Sequence, residues 1–272
     1  MKRVIGWLLL MALLGAAGFA IFLWQQGPTY RPPETIPEDA PPSAAAEPAV
    51  RFPLPEETNA DKNDLPPLSK SDPAALTALA DVFGKSAVAK YFQPQEVVRR
   101  VVVTIDNLPR KTVSGQLMPT KPVPGKFRTN SKGQNLTLAS SNFDRYTPFV
   151  RVLEAVDPKT FMATYIKMYP LFQQAYKDLG YPKGYFNDRL VAVIDHMLDA
   201  PPSDGPIALV QPHVFYKFVD PALESRSAGH KLMLRVGNDN AERIKAKLRD
   251  IRKELTKGGE AGIPGKAVNP AK

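Results

Sequence analysis

The sequence predicts a mainly α-helical single domain with a minor β-hairpin, carried behind one transmembrane helix and a disordered proline-rich tether. Three observations predict it. Residues Val4 to Trp24 are an uncharged run of 21. Residues 25–70 hold 11 of the 28 prolines. Beyond them, apolar residues recur in steps of three and four, the period of an amphipathic helix.

As a helix rising 1.5 Å per residue, the apolar run spans about 31 Å, close to the hydrocarbon thickness of a bilayer. Trp7 and Trp24, the only tryptophans, sit near its ends, where amphipathic rings favour the interface. Lys2 and Arg3 precede the run, and the next twenty residues offer Arg31 against three acids. That bias keeps residues 1–3 in the cytoplasm and sends the rest across, behind a signal anchor. A cleaved signal peptide needs a shorter apolar region and a nearby small-x-small site. Here the nearest Ala-x-Ala is Ala44 to Ala46, too far downstream. Residues 25–70 carry four basic and eight acidic side chains and few large apolar ones. Such a stretch buries too little surface to offset its ordering entropy and reads as a solvated spacer.

The domain is expected over residues 71–257, with a disordered tail from 258 to 272. Asp72 is placed as N-cap of a first helix with Pro73 at its first position and Gly84 as its stop. A second short helix covers Ser86 to Phe92. Val97, Val98, Val101, Val102, Ile105 and Leu108 give a third, although their β-branched density also suits a strand. Residues 111–140 are irregular around one hairpin that pairs Lys126–Thr129 with Asn135–Ala139. From Ser141 the period is helical again. Asp157-Pro158 starts a helix striped by Phe161, Tyr165, Met168, Tyr169, Phe172 and Tyr176, which Pro170 should kink or split. Asn187 or Asp188 caps the next, ended by Pro201-Pro202. Pro206 to Val219 reads as extended, Asp220-Pro221 as a helix start, and Asp239 to Lys257 as the last helix.

The segments VVVTIDNLPR (101–110), SNFDRYTPFV (141–150), MYPLFQQAYKDLGYPKGYFNDRLVAVIDHML (168–198), PIALVQPHVFYKFVDPALE (206–224) and SAGHKLMLRVG (227–237) resemble the proteobacterial domain of unknown function 3014 family. The likeness runs over nearly all of residues 65–255. It implies the same layout of one N-terminal span, a proline-rich tether and a single domain. As the family's name states, it implies no activity, substrate or catalytic residues.

Composition narrows the chemistry. Without Cys there is no disulfide, thiolate metal site or cysteine nucleophile. Nucleophile-elbow, phosphate-loop, zinc-protease and dinucleotide signatures do not occur in the sequence. No catalytic, cofactor-binding or metal-binding residue is therefore assigned. Residues 143–186 contain 11 of the 24 aromatics, read as core, or else as a groove for sugars or peptides. Two similar stretches, Asn142-Phe143-Asp144-Arg145-Tyr146 and Phe186-Asn187-Asp188-Arg189, put an arginine beside an aromatic at a helix start. Arg145 and Arg189 either present forks to an anionic ligand or lock helix ends to carboxylates such as Asp106 or Glu154. Tyr146, Tyr181, Tyr185 and Asp188 complete the ligand candidates. Asp188, Asp195 and Asp199 share one helix face but spread over about 16 Å. His213 and His230 lack a carboxylate at a telling spacing. Residues 242–257 carry seven basic and three acidic side chains around an apolar stripe. Across a membrane their counter-charge is lipid or an acidic polymer rather than nucleic acid.

Two function classes follow. The first is a binding or scaffold module of the cell envelope, contacting a protein, lipid or cell-wall partner. The second is an envelope hydrolase or transferase using Asp188 or Asp195 with Tyr181 or Tyr185, which requires those groups to converge in one cleft.

Overall fold

A computed structural model describes residues 49–55, 65–133 and 135–260. The apolar run Val4–Trp24, most of the tether and the tail from 261 lie outside the described residues. Among the described residues no helix is long and apolar enough to cross a membrane.

Among the described residues nine α-helices and a small antiparallel sheet follow one another as α1 (Asp72–Phe83), α2 (Lys85–Tyr91), α3 (Val97–Asn107), β1 (Thr129–Lys132), β2 (Asn135–Leu138), α4 (Ser141–Glu154), α5 (Pro158–Asp178), α6 (Phe186–Leu198), β3 (Ala208–Val210), β4 (Lys217–Phe218), α7 (Pro221–Glu224), α8 (Ala228–Val236) and α9 (Asn238–Glu260). The helical class is as expected. In place of a lone hairpin, however, the strands form a four-stranded sheet in the order β1-β2-β3-β4. Leu136 pairs with Leu209 and Leu209 with Phe218, so two hairpins 70 residues apart in sequence share one apolar face. Leu138, Leu209 and Phe218 on that face are buried against Leu234 of α8.

The main core lies among α1, α3, α5, α6 and α9, where Val98, Val102, Val191, Phe186 and Leu255 are almost fully buried. The valine-rich segment of α3 is a helix rather than a strand because its 3.6-residue stripe faces this core. A second cluster joins α6, α8 and α9 through Val193, Met197, Met233 and Val236. The tyrosine stripe of α5 belongs to the core. Tyr165 stacks on Phe161 and Phe172, Tyr176 packs against Tyr181 and Phe186, and Tyr169 lies 5.5 Å from the ring of Tyr185. Burial drives the Tyr165, Tyr169 and Tyr176 hydroxyls above the usual phenol range.

Several local expectations are corrected. Asp72 does not cap its own helix; Ser71 holds that position, and the Asp72 carboxylate accepts the Glu96 and Val97 amides at 2.9 Å each. It thereby caps α3, where Glu96 has a left-handed φ of 52°. Pro170 does not split α5, which runs unbroken for 21 residues. Asp157 does cap α5, accepting the Thr160 amide, which lowers the pKa of its carboxyl. Neither Asn187 nor Asp188 caps α6; the N-cap is Tyr185 and both side chains point elsewhere.

The domain's borders also move. Residues 51–55, assigned by composition to the tether, dock beside the start of α6, with Leu54 buried in the main core. Leu65 and Leu68 pack on the same core. The last helix continues to Glu260, past the expected fraying point at Gly258. Its two glycines allow the strap of residues 51–55 to pass close by. A Cβ at Gly258 would fall 2.1 Å from the Pro53 carbonyl oxygen, and one at Gly259 2.7 Å from that of Arg51.

Gly258→Ala should therefore dislodge the strap even though alanine favours a helix interior by about 1 kcal/mol. Tryptic cleavage after Arg51 should quicken several-fold while the helical circular dichroism is kept; unchanged cleavage would show that the strap does not need that close approach.

Candidate functional site

Polar groups enter this helical core at a few places, and each is tied to named elements. The last turn of α3 carries Asp106, only 2% exposed. Arg110, one turn on, donates to Asp106 Oδ2 at 2.7 Å, and Arg189 of α6 donates from Nε to Oδ1 at 2.9 Å and from Nη2 to the Asp106 carbonyl at 2.8 Å. Tyr181, in the α5–α6 connection, accepts from Arg110 at 2.7 Å and donates to Asp106 Oδ2 at 3.2 Å. The hydrogen bond to Asp106 raises the pKa of Arg110. Both carboxylate oxygens are thus filled from within. The Arg189 fork is occupied by Asp106, the locking role, and is not held out toward a ligand.

A second cluster anchors the strap. Asp188 accepts the Arg51 and Phe52 amides at 2.9 and 2.8 Å, and the Tyr185 hydroxyl accepts the Leu54 amide at 3.0 Å. Fully buried Asn187 accepts from the Tyr165 hydroxyl and donates to the carbonyls of Phe52 and Leu255. Arg145 belongs to a third place. It donates to the carbonyls of Val123, Pro124 and Gly125 and to Asn142, fastening the irregular segment before β1 onto α4. Its pairing with Glu154 is not formed; Glu154 takes Arg243 instead, which holds the Glu154 carboxyl below its usual pKa. Tyr146 lies partly buried against the second core cluster.

The six candidate residues therefore do not make one site. Tyr181 and Arg189 share the Asp106 cluster, Tyr185 and Asp188 share the strap, and Arg145 and Tyr146 are separate. Of the acids and tyrosines required for an enzyme of residues 181–199, Asp188 and Tyr185 meet only at the strap, where backbone amides of residues 51–54 fill both. Asp195 pairs with Arg252 of α9, Asp188 with backbone amides and Tyr181 with Asp106. Part of the basic face of α9 is used on the chain itself as well. Lys245 donates to the Ala200 carbonyl and Lys247 to that of Val156, both at 2.7 Å.

Two features escaped the sequence reading. The first is a histidine pair. His196 of α6 and His230 of α8 stack with ring centroids 4.1 Å apart and planes 8° apart. Ser227, the N-cap of α8, accepts the His230 amide and lies 2.7 Å from His196 Nε2, while His230 Nε2 donates to the His196 carbonyl. Burial, followed by the neighbouring His230, lowers the pKa of His196. A serine beside an imidazole is a nucleophile–base geometry. Here, though, the α8 amides that could receive an oxyanion are already taken: Ala228 by the Arg110 carbonyl, Gly229 by that of Leu108 and His230 by Ser227. Spacing could not reveal this pair, because 34 residues separate its members.

The second is a groove of about 780 Å³ between the sheet, the start of α4, residues 203–207 and the α8–α9 junction. Asp144 and Asp239 line it from the first turns of α4 and α9, together with Thr137 and Asn130 of the sheet. Asn240 forms part of its wall, donating to the carbonyls of Phe143 and Val236 and accepting from Arg243. Gly237 turns the chain there with φ of 84°, and a Cβ on it would fall 2.6 Å from the Phe143 ring. Asn142–Arg145 and Asn240–Arg243 share a three-residue spacing, and in both Nη1 donates to the amide oxygen at 3.1 Å. None of the six candidates lines the groove. Among the described residues no three His, Asp or Glu side chains gather to hold a metal ion.

Residues 97–252 match the sequence profile of a protein family of unknown function, DUF3014. No curated protein and no solved structure matches the chain.

Asp106→Asn removes the buried carboxylate that exposed Arg110 and half-buried Arg189 both reach, and should cost about 1.5–3 kcal/mol of unfolding free energy, read from urea titration. A loss below about 1 kcal/mol would mean that the cluster is solvated. His196 gives a pH signature. Its folded pKa lies below the ordinary 6.5, so its contribution is intact above that value and is lost as pH falls toward the folded pKa. Thermal midpoints should drop on acidification below about pH 6.5, and His196→Gln should flatten that drop.

Proposed function

We propose, for a chain that belongs to the DUF3014 family of proteins of unknown function, that it is a binding or scaffold module of the bacterial cell envelope. In this reading residues 4–24 anchor it as a single pass in the inner membrane, and the tether lets the domain reach a partner in the periplasm. The observation that supports binding is the groove of about 780 Å³. Its size suits a ligand or peptide segment, since such sites occupy roughly 300–1,000 Å³. The buried polar clusters elsewhere are filled by the chain's own groups, whereas Asp144 and Asp239 face this open space. Arg243, the cation of the groove, is already neutralised by Glu154. The local field thus favours a polar protein segment with basic side chains.

Photocrosslinking tests this in cells making the full chain with a photoreactive residue in place of Thr137. A discrete adduct is expected, and Asp144→Lys with Asp239→Lys should lower its yield about tenfold by reversing the field. An adduct insensitive to both reversals, or none at all while the protein remains folded, counts against the groove as the binding surface.

A further inference from the structure

We infer that the end of the sheet formed by its two hairpin turns is a docking surface for an anionic lipid bilayer, at a place separate from the groove and independent of the reading above. The topology assembles it. Leu136 pairs with Leu209 and Thr137 with Ala208, so the turn after Lys132 and the turn after Val210 lie at the same end of the sheet. The β3–β4 turn carries Val214 and Phe215, 77% and 81% exposed, with Val210 and Val219 also open at its base. These are four of the seven large apolar side chains left exposed among the described residues. The tip is held in shape. Gln211 donates to the Val214 carbonyl, and Tyr216 stacks on Phe127 at 5.1 Å, tying one hairpin to the other.

Charge identifies the partner. Residues 126–138 and 207–219 contain Lys126, Arg128, Lys132 and Lys217 and no Asp or Glu; Lys132 and Lys217 stand at this end of the sheet, while Lys126 and Arg128 precede β1 at its other end. All four cations are exposed, and none joins an ion pair among the described residues. This contrasts with α9, most of whose cations are paired with carboxylates or carbonyls. A soluble polyanion would use the charges but leave Val214 and Phe215 in water. A protein interface would bury the apolar tip but normally depletes lysine at its centre. A second copy of the same surface would repel itself. A bilayer interface satisfies both features: aromatic and aliphatic side chains enter the headgroup–acyl boundary while lysines remain among anionic headgroups. Each such lysine near the surface is worth about fivefold in affinity, equivalent to ~1 kcal/mol.

The lack of Cys makes the test direct. Val214→Cys in the full chain gives a single thiol for an environment-sensitive fluorophore, read in nanodiscs of phosphatidylcholine alone or with phosphatidylglycerol. Phosphatidylglycerol should shift the emission to the blue and protect the label from an aqueous quencher. Lys132→Glu with Lys217→Glu should lower that protection at least tenfold, while a label on the exposed Asp204→Cys loop stays accessible throughout. Phe215→Asp in the labelled background should abolish insertion with helical content unchanged. Equal protection on both lipid compositions, or none on either, overturns the inference.

Discussion

Asp106 sits in a helical core with 2% of its surface exposed, and a carboxylate taken out of water is stable only when its oxygens are filled by well-placed donors. Those donors are Arg110 just past the end of α3, Arg189 from α6 and Tyr181 from the loop that joins α5 to α6. Meeting that need fixes the angle at which α6 crosses the end of α3. It also holds the loop carrying Tyr181, which stacks on Tyr176, and sets the chain leaving α3 so that its carbonyls meet the first amides of α8. The second core cluster and the histidine stack are built on that junction.

The same rule operates on a smaller scale at three buried asparagines. Asn142 joins α4 to the segment before β1, Asn187 joins α6 to the strap and α9, and Asn240 joins α9 to α4. Each amide reaches backbone groups far away in sequence, so each fixes geometry that apolar packing alone would leave loose. Most of the molecule's directional chemistry is used in this way, on itself. Two surfaces depart from the pattern: the groove beside the sheet and the cationic, apolar-tipped end of the same sheet. The sheet is thus the part of the fold that turns outward, while the helices close upon themselves.

The correspondence between sequence and structure varies with the range of the interaction. Helix α5 was readable because Asp157, Pro158 and the aromatic stripe are local signals that agree. Asp72 misled because an aspartate before proline looks the same whether it caps its own helix or another 24 residues away. The aromatic-rich region reads as core, because eleven aromatic side chains within one segment must be buried against something. The pairing of Arg189 with Asp106 was among the stated alternatives, since an arginine near a buried helix end seeks a carboxylate; the pairing of Arg145 with Glu154 failed because backbone carbonyls served Arg145 as well. The groove was not readable, since its walls come from four separate stretches.

Taken alone, the amino-acid order determined the helical class, most helix spans, the family likeness and the absence of thiol chemistry. These follow from periodicity and residue type, which act over a few positions along the chain. Tertiary structure alone decided that two short hairpins form one sheet, that a proline-rich strap belongs to the domain, that two distant histidines stack, and which charges face solvent. Those outcomes depend on bringing together groups tens of residues apart, where the free energy lies in shared burial and mutual hydrogen bonding rather than in any local preference.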